Sequence, residues 1–531
     1  MRQPPRSSSA QTSVSIPIPA PTGGWNTTHS LAAMSSTDAI FIDNFWPTLE
    51  DVKLRKGWAE FASIIPDLPF AEVPDPHNIR SLLSYSPSSG VAELFAADET
   101  GIFNITAGGS NLVADTPSTN GYWKSVNIST AGGKFLWCCN GVDKSRVYDG
   151  TNWTLLDGTS TPAITGVTST DIINVTLFKT RLMFVIKNSL SFGFLPVNSI
   201  AGAISTFPLG AIFRRGGRLV TIDTWSIDGG NGIDDYCVFI TSEGEIAVYQ
   251  GTDPGVAANW ALVGVYFVGK PLSDSCTVKV GGDVILLTVQ GVYPLSKALG
   301  FANSKENAAL SYKIQQVFHS YATKGEDLFG WQVIFFPAST MVLINVPFKV
   351  DTASNFIYSY QFVMNTTNNS WARFTNMPAE AWCVHDNRLF FARHDKVFEA
   401  WTGALDGNNP VIGRVKQAFT TLGTKRQNKH VKMIKPIMRS SSAVQLSLGF
   451  DVDFKTDVSL QSQATFSLTS SEWDTALFDQ AVWSGSLIDA DWRTVSNIPG
   501  MWFSLNLKVE SRTSDVAWLA TQYLVQQGGI L

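Results

Sequence analysis

The chain has 531 residues, of which 44% are hydrophobic and only 16% charged, and its formal net charge is −5. That length exceeds one compact core and predicts two or three domains, the apolar fraction excludes a disordered chain, and the mild acidity argues against broad sequence-independent binding of nucleic acid on the outer surface. With 42 Gly, 17 Trp and 33 Phe, the composition is unlike that of a helical enzyme and suits an all-β chain with many turns.

Residues 1–22 are rich in Pro, Ser and Gln and carry no apolar core of a signal peptide, so they read as a flexible N-terminal arm. Ser36 or Thr37 is placed to cap a short helix whose first turn carries Asp38, with Pro47 barring its continuation. Val52 to Trp58 alternates like a strand that ends in a turn.

From about residue 76 to 405 one pattern recurs: an apolar run, a polar or Gly-containing turn, and a second apolar run. It appears at 94–105, 135–150, 182–194, 237–249 and 284–295, and again between Asn355 and Gly403. In that last stretch the runs 356–364 and 370–374 flank Asn365 to Asn369, and three further runs follow over 381–401 with a turn at His394-Asp395. Units some 40 to 60 residues apart predict an irregular β-propeller. A series of β-sandwiches is the competing architecture.

One segment breaks the pattern. Over 304–323, Leu310, Ile314, Val317, Phe318 and Tyr321 fall at helical spacing, with Asn303 or Ser304 as cap and Glu306 in the first turn. This predicts an amphipathic helical insertion, about 303–323, packed on the propeller's edge. Residues 406–430 read as a linker. Beyond them Val444 to Phe454 and Phe503 to Val509 alternate apolar and polar residues, which predicts a separate antiparallel, sandwich-like β-domain over 431–531.

Signs of chemistry are sparse. The five cysteines, Cys138, Cys139, Cys237, Cys276 and Cys383, lack zinc spacing and read as buried thiols. The six histidines stand apart, and no nucleophile elbow, phosphate loop or dinucleotide fingerprint is present. The carboxylate pairs Asp234-Asp235 and Asp451/Asp453 lack the repeated Asp boxes of propeller sialidases. The reading is therefore of a non-enzyme with no catalytic, cofactor or metal residues. Two basic clusters remain as candidate interface or lumen contacts: Arg214, Arg215 and Arg218, and Lys425, Arg426, Lys429 and Lys432.

Short motifs at Gly23-Gly24-Trp25-Asn26, Asp38, Asp43-Asn44-Phe45-Trp46-Pro47 and Gly57 recur in company with Ser370-Trp371-Ala372-Arg373-Phe374 and Lys429 to Pro436. In these residues the chain resembles the tail nozzle, or tail tubular protein B, family of short-tailed bacteriophages. The resemblance implies a structural virion protein of the tail, assembled in the host cytoplasm. Six copies would form a tube below the adaptor ring, with a β-propeller and a platform region to which 23–75 contributes. Its implied partners are other copies of itself, the tail adaptor protein, tail fibres or spikes, and genomic DNA passing through the lumen without sequence specificity. No cofactor, membrane segment or catalytic residue is implied. On that reading the turns at Asn365 to Asn369 and His394-Asp395 become candidate contacts between subunits. The alternative is a propeller-type tailspike or receptor-binding protein that binds or degrades glycan through exposed Trp and paired Asp.

Overall fold

The computed structural model describes residues 13–64, 78–88, 90–110, 112, 114–228, 233–300, 309–351, 356–423, 425, 427–440, 444–455, 461–465, 487–489, 492–494, 499–512 and 515–530. The chain forms two compact units. Unit 1 comprises 1–58, 364–374 and 402–531, and unit 2 comprises 59–363 and 375–401.

Unit 2 is a β-propeller. Its blades are antiparallel sheets whose first strands are Ser81–Tyr85, Lys124–Thr130, Ile172–Phe178, Leu219–Asp228, Thr277–Val280, Gln332–Phe336 and Ala381–His385. Each of these strands touches the next, and the last touches the first, so seven blades close a ring. The N-terminal strand Trp58–Ser63 adds to the outer edge of the seventh blade beside Lys396–Ala400. That closure is reinforced by a hydrogen bond from the Ile64 amide to the Asp395 carbonyl (2.9 Å) and by Lys396 Nζ on Glu60 (3.0 Å).

The middle strands are the part of the sequence that reads most clearly, and the packing explains why. A propeller blade is covered on both faces by its neighbours, so successive side chains of one strand enter different cores. In Gly133–Cys139, Trp137 and Cys139 pack toward the third blade while Leu136 and Cys138 pack toward the first. Met183 and Val185 likewise join the core shared with the fourth blade, and Leu182 and Phe184 that shared with the second. The vicinal cysteines thus point to opposite sides of one sheet and are unbridged. Burial raises the thiols of Cys138, Cys139, Cys237 and Cys276 above their usual range. We expect a neutral thiol reagent to modify none of these four in the native protein and all of them after denaturation; fast labelling of native Cys138 would contradict this packing.

Several boundaries differ from expectation. The stretch from Asn355 to Gly403 is not one blade: Phe356–Asn365 ends the sixth, Met364 to Phe374 belongs to unit 1, and Ala381–Ala400 supplies three strands of the seventh. The insertion's helix runs over Gln315–Gly325 after a single 3-10 turn, Tyr312–Ile314, so it starts later than the spacing suggests. The proposed caps Asn303 and Ser304, with Glu306, lie outside the described residues. Phe318 and Ala322 are its buried face, and Tyr321 meets the rings of Tyr360 and Phe362 edge-on.

Unit 1 is a two-sheet sandwich. One sheet orders Phe45–Pro47, Val52–Leu54, Val516–Ile530, Gln427–Ser440 and Leu487–Asp489, with Ser13–Pro19 paired to Val516–Ile530. The other runs through Asp38–Asp43, Asn409–Gln417, Phe503–Ser511 and Gln445–Val452. Phe450 of the second sheet packs on Tyr523 of the first, with ring centroids 6.2 Å apart. Four sequence expectations are corrected here. Asp38–Asp43 is a strand and not a capped helix, because its apolar residues Ala39 and Ile42 are buried while its backbone pairs with Asn409–Gln417. Residues 406–430 are not a linker, since 409–417 is a central strand. The C-terminal β-domain is not separate, and part of the supposed flexible arm is a paired strand; residues 1–12 lie outside the described residues.

Candidate functional site

The motif residues that suggested a family come from three distant stretches, and unit 1 brings them together. Gly24 has φ +75° and lies against the Trp371 backbone, where an added Cβ would sit 2.6 Å from the carbonyl oxygen. Only glycine fits both the conformation and the space. Asn26 donates to Asp38 (2.7 Å) and its carbonyl oxygen accepts the amides of Thr28 and His29, so this polar group is consumed in shaping a turn. Trp25 donates to the Ile40 carbonyl (3.1 Å).

Asp43 receives Arg373 through two bonds of 2.8 Å. Asn44, at φ +58°, accepts from Arg55 Nε (2.9 Å) and donates to the Ile412 carbonyl (2.8 Å). Arg55 in turn forms a two-pronged pair with Asp406 (2.7 and 2.6 Å), with the two side chains 0% and 4% exposed. Burial raises the Asp406 carboxyl and Arg55 opposes the rise. Trp46 packs on Phe374, and the Pro47 carbonyl accepts from Asn365 (3.0 Å). A side chain at Gly57 would run into the Leu405 carbonyl. These groups lock strands to one another, and none of them is left as a nucleophile or a free acid.

In unit 2 a cavity of about 280 Å³ opens where the inner ends of five blades converge. It is lined by Arg80 and Leu82, by Trp123 and Lys124, by Asp274 and Ser275, by Phe329 and Trp331, and by Glu380 and Trp382. Because these residues come from the inner strands of the ring or the loops entering them, the cavity lies on the propeller axis. Two ion pairs stand in it. Arg80 and Glu380, at 2.6 Å, are essentially buried, whereas Lys124 and Asp274, at 3.0 Å, are partly exposed. Lys124 also donates to Ser275. Burial pushes the Glu380 carboxyl up to about 7, and Arg80 beside it limits the rise. Beyond the cavity, Ser84 and His385 of adjacent blades are within 2.9 Å, and burial lowers the imidazole's pKa. Arg80 and Glu380 lie 300 positions apart in the chain, which is why no local motif announces the pair.

The two basic clusters differ. Arg214, Arg215 and Arg218 are exposed on a loop beside the fourth blade. The amides of Arg214 and Arg215 are held by the Glu245 carboxylate (3.0 and 2.8 Å), and the Arg215 guanidinium lies 3.8 Å from the centre of the Phe267 ring. In the second cluster Lys425 is exposed, Arg426 lies outside the described residues, and Lys429 and Lys432 sit on the strand Gln427–Ser440. Lys429 is 1% exposed, and burial lowers its pKa. The alternation of the strand therefore breaks up what reads in sequence as one basic run. Of the candidate carboxylate pairs, Asp451 is buried against Lys416 at 2.5 Å while Asp453 accepts the amides of Met501 and Trp502. They do not act as a pair.

No protein-family model matches the sequence, and no curated protein does. Among solved structures, BBS1N in complex with ARL6DN is similar at 11% identity, with 65% of this chain and 96% of that chain covered and a TM-score of 0.36. Raptor from Chaetomium thermophilum is similar at 11% identity over 65% of this chain and 29% of that one, TM-score 0.38. YCF48 bound to D1 peptide is similar at 8% identity over 64% and 98%, TM-score 0.36.

Proposed function

We propose that this chain is a structural virion protein of a short-tailed phage, a tail nozzle subunit that assembles with its own copies, six to a ring, beneath the adaptor. The tube conducts DNA outward and retains it until ejection. The observation that supports this reading is the convergence of the motif residues in unit 1, where Gly24, Asp43, Asn44 and Gly57 are all spent on holding strands in register. A protein that works by its shape concentrates its distinctive residues in the frame. Its mild acidity suits a conduit, because each phosphate neutralised by a lumen cation adds salt-sensitive affinity and slows passage.

The test is assembly. Purified protein mixed with the adaptor ring of its phage is expected to form a ring-shaped particle by negative-stain electron microscopy and to comigrate with the adaptor on size exclusion. A chain that stays monomeric with the adaptor present rules the reading out. The alternative, glycan binding, is favoured by one observation, the axial cavity where Trp123, Trp331 and Phe329 line the space beside Asp274 and Glu380. Retention of host polysaccharide by the monomer, lost in Trp123→Ala, would support that second reading.

A further inference from the structure

The axial cavity of unit 2 has an uneven lining. On one side Lys124 and Asp274 stand 3.0 Å apart, with side chains 23% and 50% exposed. Lys124 is bonded to Asp274 and to the Ser275 hydroxyl, which leaves one of its ammonium protons free. Among the described residues the Asp274 carboxylate is bonded to Lys124 alone, so acceptor capacity remains there too.

The other walls hold no such groups. The indole N–H groups of Trp123, Trp331 and Trp382 are turned to Ser118 Oγ (3.0 Å), the Gly325 carbonyl (2.6 Å) and Asn345 Oδ1 (3.0 Å). The Gln332 amide is bonded at both ends to the Trp382 backbone. In front of these buried groups the surface is apolar: Leu328 and Phe329 are half-buried, and Tyr122, 42% exposed, meets Phe329 edge-on with ring centroids 4.7 Å apart. Arg80 and Glu380 pair with each other, so two basic side chains balance two acids around the space.

A ligand that is polar on every side, such as a sugar ring, would leave hydroxyls unpaired against the apolar wall and lose their hydrogen bonds to water. A ligand with a charged head and an apolar body loses nothing there. Its head has to carry both signs, because Lys124 and Asp274 present both within one hydrogen-bond length. The volume of about 280 Å³ lies just under the range of about 300–1,000 Å³ for drug-sized ligands, which limits the body to a single side chain.

We propose that the axial cavity binds a free α-amino acid with a large apolar side chain, its ammonium on Asp274, its carboxylate on Lys124 and its side chain against Tyr122, Leu328 and Phe329. Both head contacts are charge-assisted and fix the orientation, while the wall selects the side chain by burial. The proposal rests on neither the nozzle reading nor the glycan reading.

The test titrates the full chain with phenylalanine, N-acetylphenylalanine, phenylalaninamide, glycine and glucose in a calorimeter. Phenylalanine is expected to bind saturably. The acetyl form, the amide and glycine, which lack the ammonium, the carboxylate and the side chain in turn, are each expected to bind at least about 10-fold more weakly. Asp274→Asn is expected to erase the difference between phenylalanine and its acetyl form, and Lys124→Met the difference between phenylalanine and its amide. Each variant is a folding check on the other, since it keeps the discrimination that its own substitution does not touch. No saturable binding of phenylalanine at millimolar concentration overturns the proposal. Phenylalaninamide bound as tightly as phenylalanine assigns the cavity to the first residue of a polypeptide and also overturns it. Glucose bound where phenylalanine is not gives the cavity to the glycan reading, with the same result.

Discussion

Replacing Arg55 by methionine is expected to destabilise the chain by about 3–5 kcal/mol, the range for breaking a buried ion pair by removing one partner. The side chain is fully buried, and its bonds include two to Asp406, one to Asn44 and one to the Lys56 carbonyl. Methionine fills a similar volume but leaves the Asp406 carboxylate in a dry site without its cation. The double variant Arg55→Met/Asp406→Leu removes both charges and is expected to recover most of the loss, because two well-packed apolar side chains in place of a buried pair are often neutral. Thermal and denaturant unfolding of the three variants measure this. A single variant within about 1 kcal/mol of the parent would show that the pair contributes no more than a surface salt bridge.

Replacing Arg80 by methionine is expected to destabilise the chain with a pH dependence set by the carboxyl it pairs with. In the folded chain the Glu380 carboxyl titrates at about 7, above its value in an unfolded chain, because burial disfavours its charged form. The folded protein thus holds a proton that the unfolded chain has released. Its contribution to stability is full at acid pH, falls as pH rises from about 4.3, and is lost above 7. The span corresponds to roughly 3.7 kcal/mol at most. Without Arg80, Glu380 holds its proton to higher pH than in the parent, so the penalty for Arg80→Met is expected to be flat below pH 7 and to grow by at most about 1.4 kcal/mol from pH 7 to pH 8. Glu380→Gln, which cannot ionise, should gain on the parent protein over the same range. Stability differences that stay flat between pH 5 and 8 in both variants would mean that Glu380 is ionised throughout.

How far the sequence could be read depended on how each strand is covered. The runs at 94–105, 135–150, 182–194, 237–249 and 284–295 stand out because middle strands are buried on both faces, so Leu136, Trp137, Cys138 and Cys139 form an unbroken apolar stretch. Of the innermost strands, only Ala381–His385 was legible. Lys124–Thr130 mixes Lys, Ser, Asn and Thr with two apolar residues, because one face looks onto the axis. The sixth blade's strands Gln332–Phe336 and Met341–Asp351 carry apolar residues of the same kind but meet at a 3-10 turn, Pro337–Ser339, that carries no glycine or asparagine. At Asp38 the local signals of a helix cap were outweighed by pairing with a strand more than 370 positions away, a contact that propensity cannot see. The axial cavity was hidden for a related reason: each of its charges is ordinary within its own blade, and only the ring makes them neighbours.

The strand that closes the ring is also the first of unit 2 to be made. Trp58–Ser63 leaves the ribosome early, yet its partner Lys396–Ala400 is translated only after six blades have followed. At roughly 5–20 residues per second the wait is on the order of 20–70 s. Throughout that time the ring lacks its last blade and cannot close. Ring closure is thus a late event set by the pace of synthesis, and slowing translation lengthens the interval in which neighbouring chains can pair with one another instead.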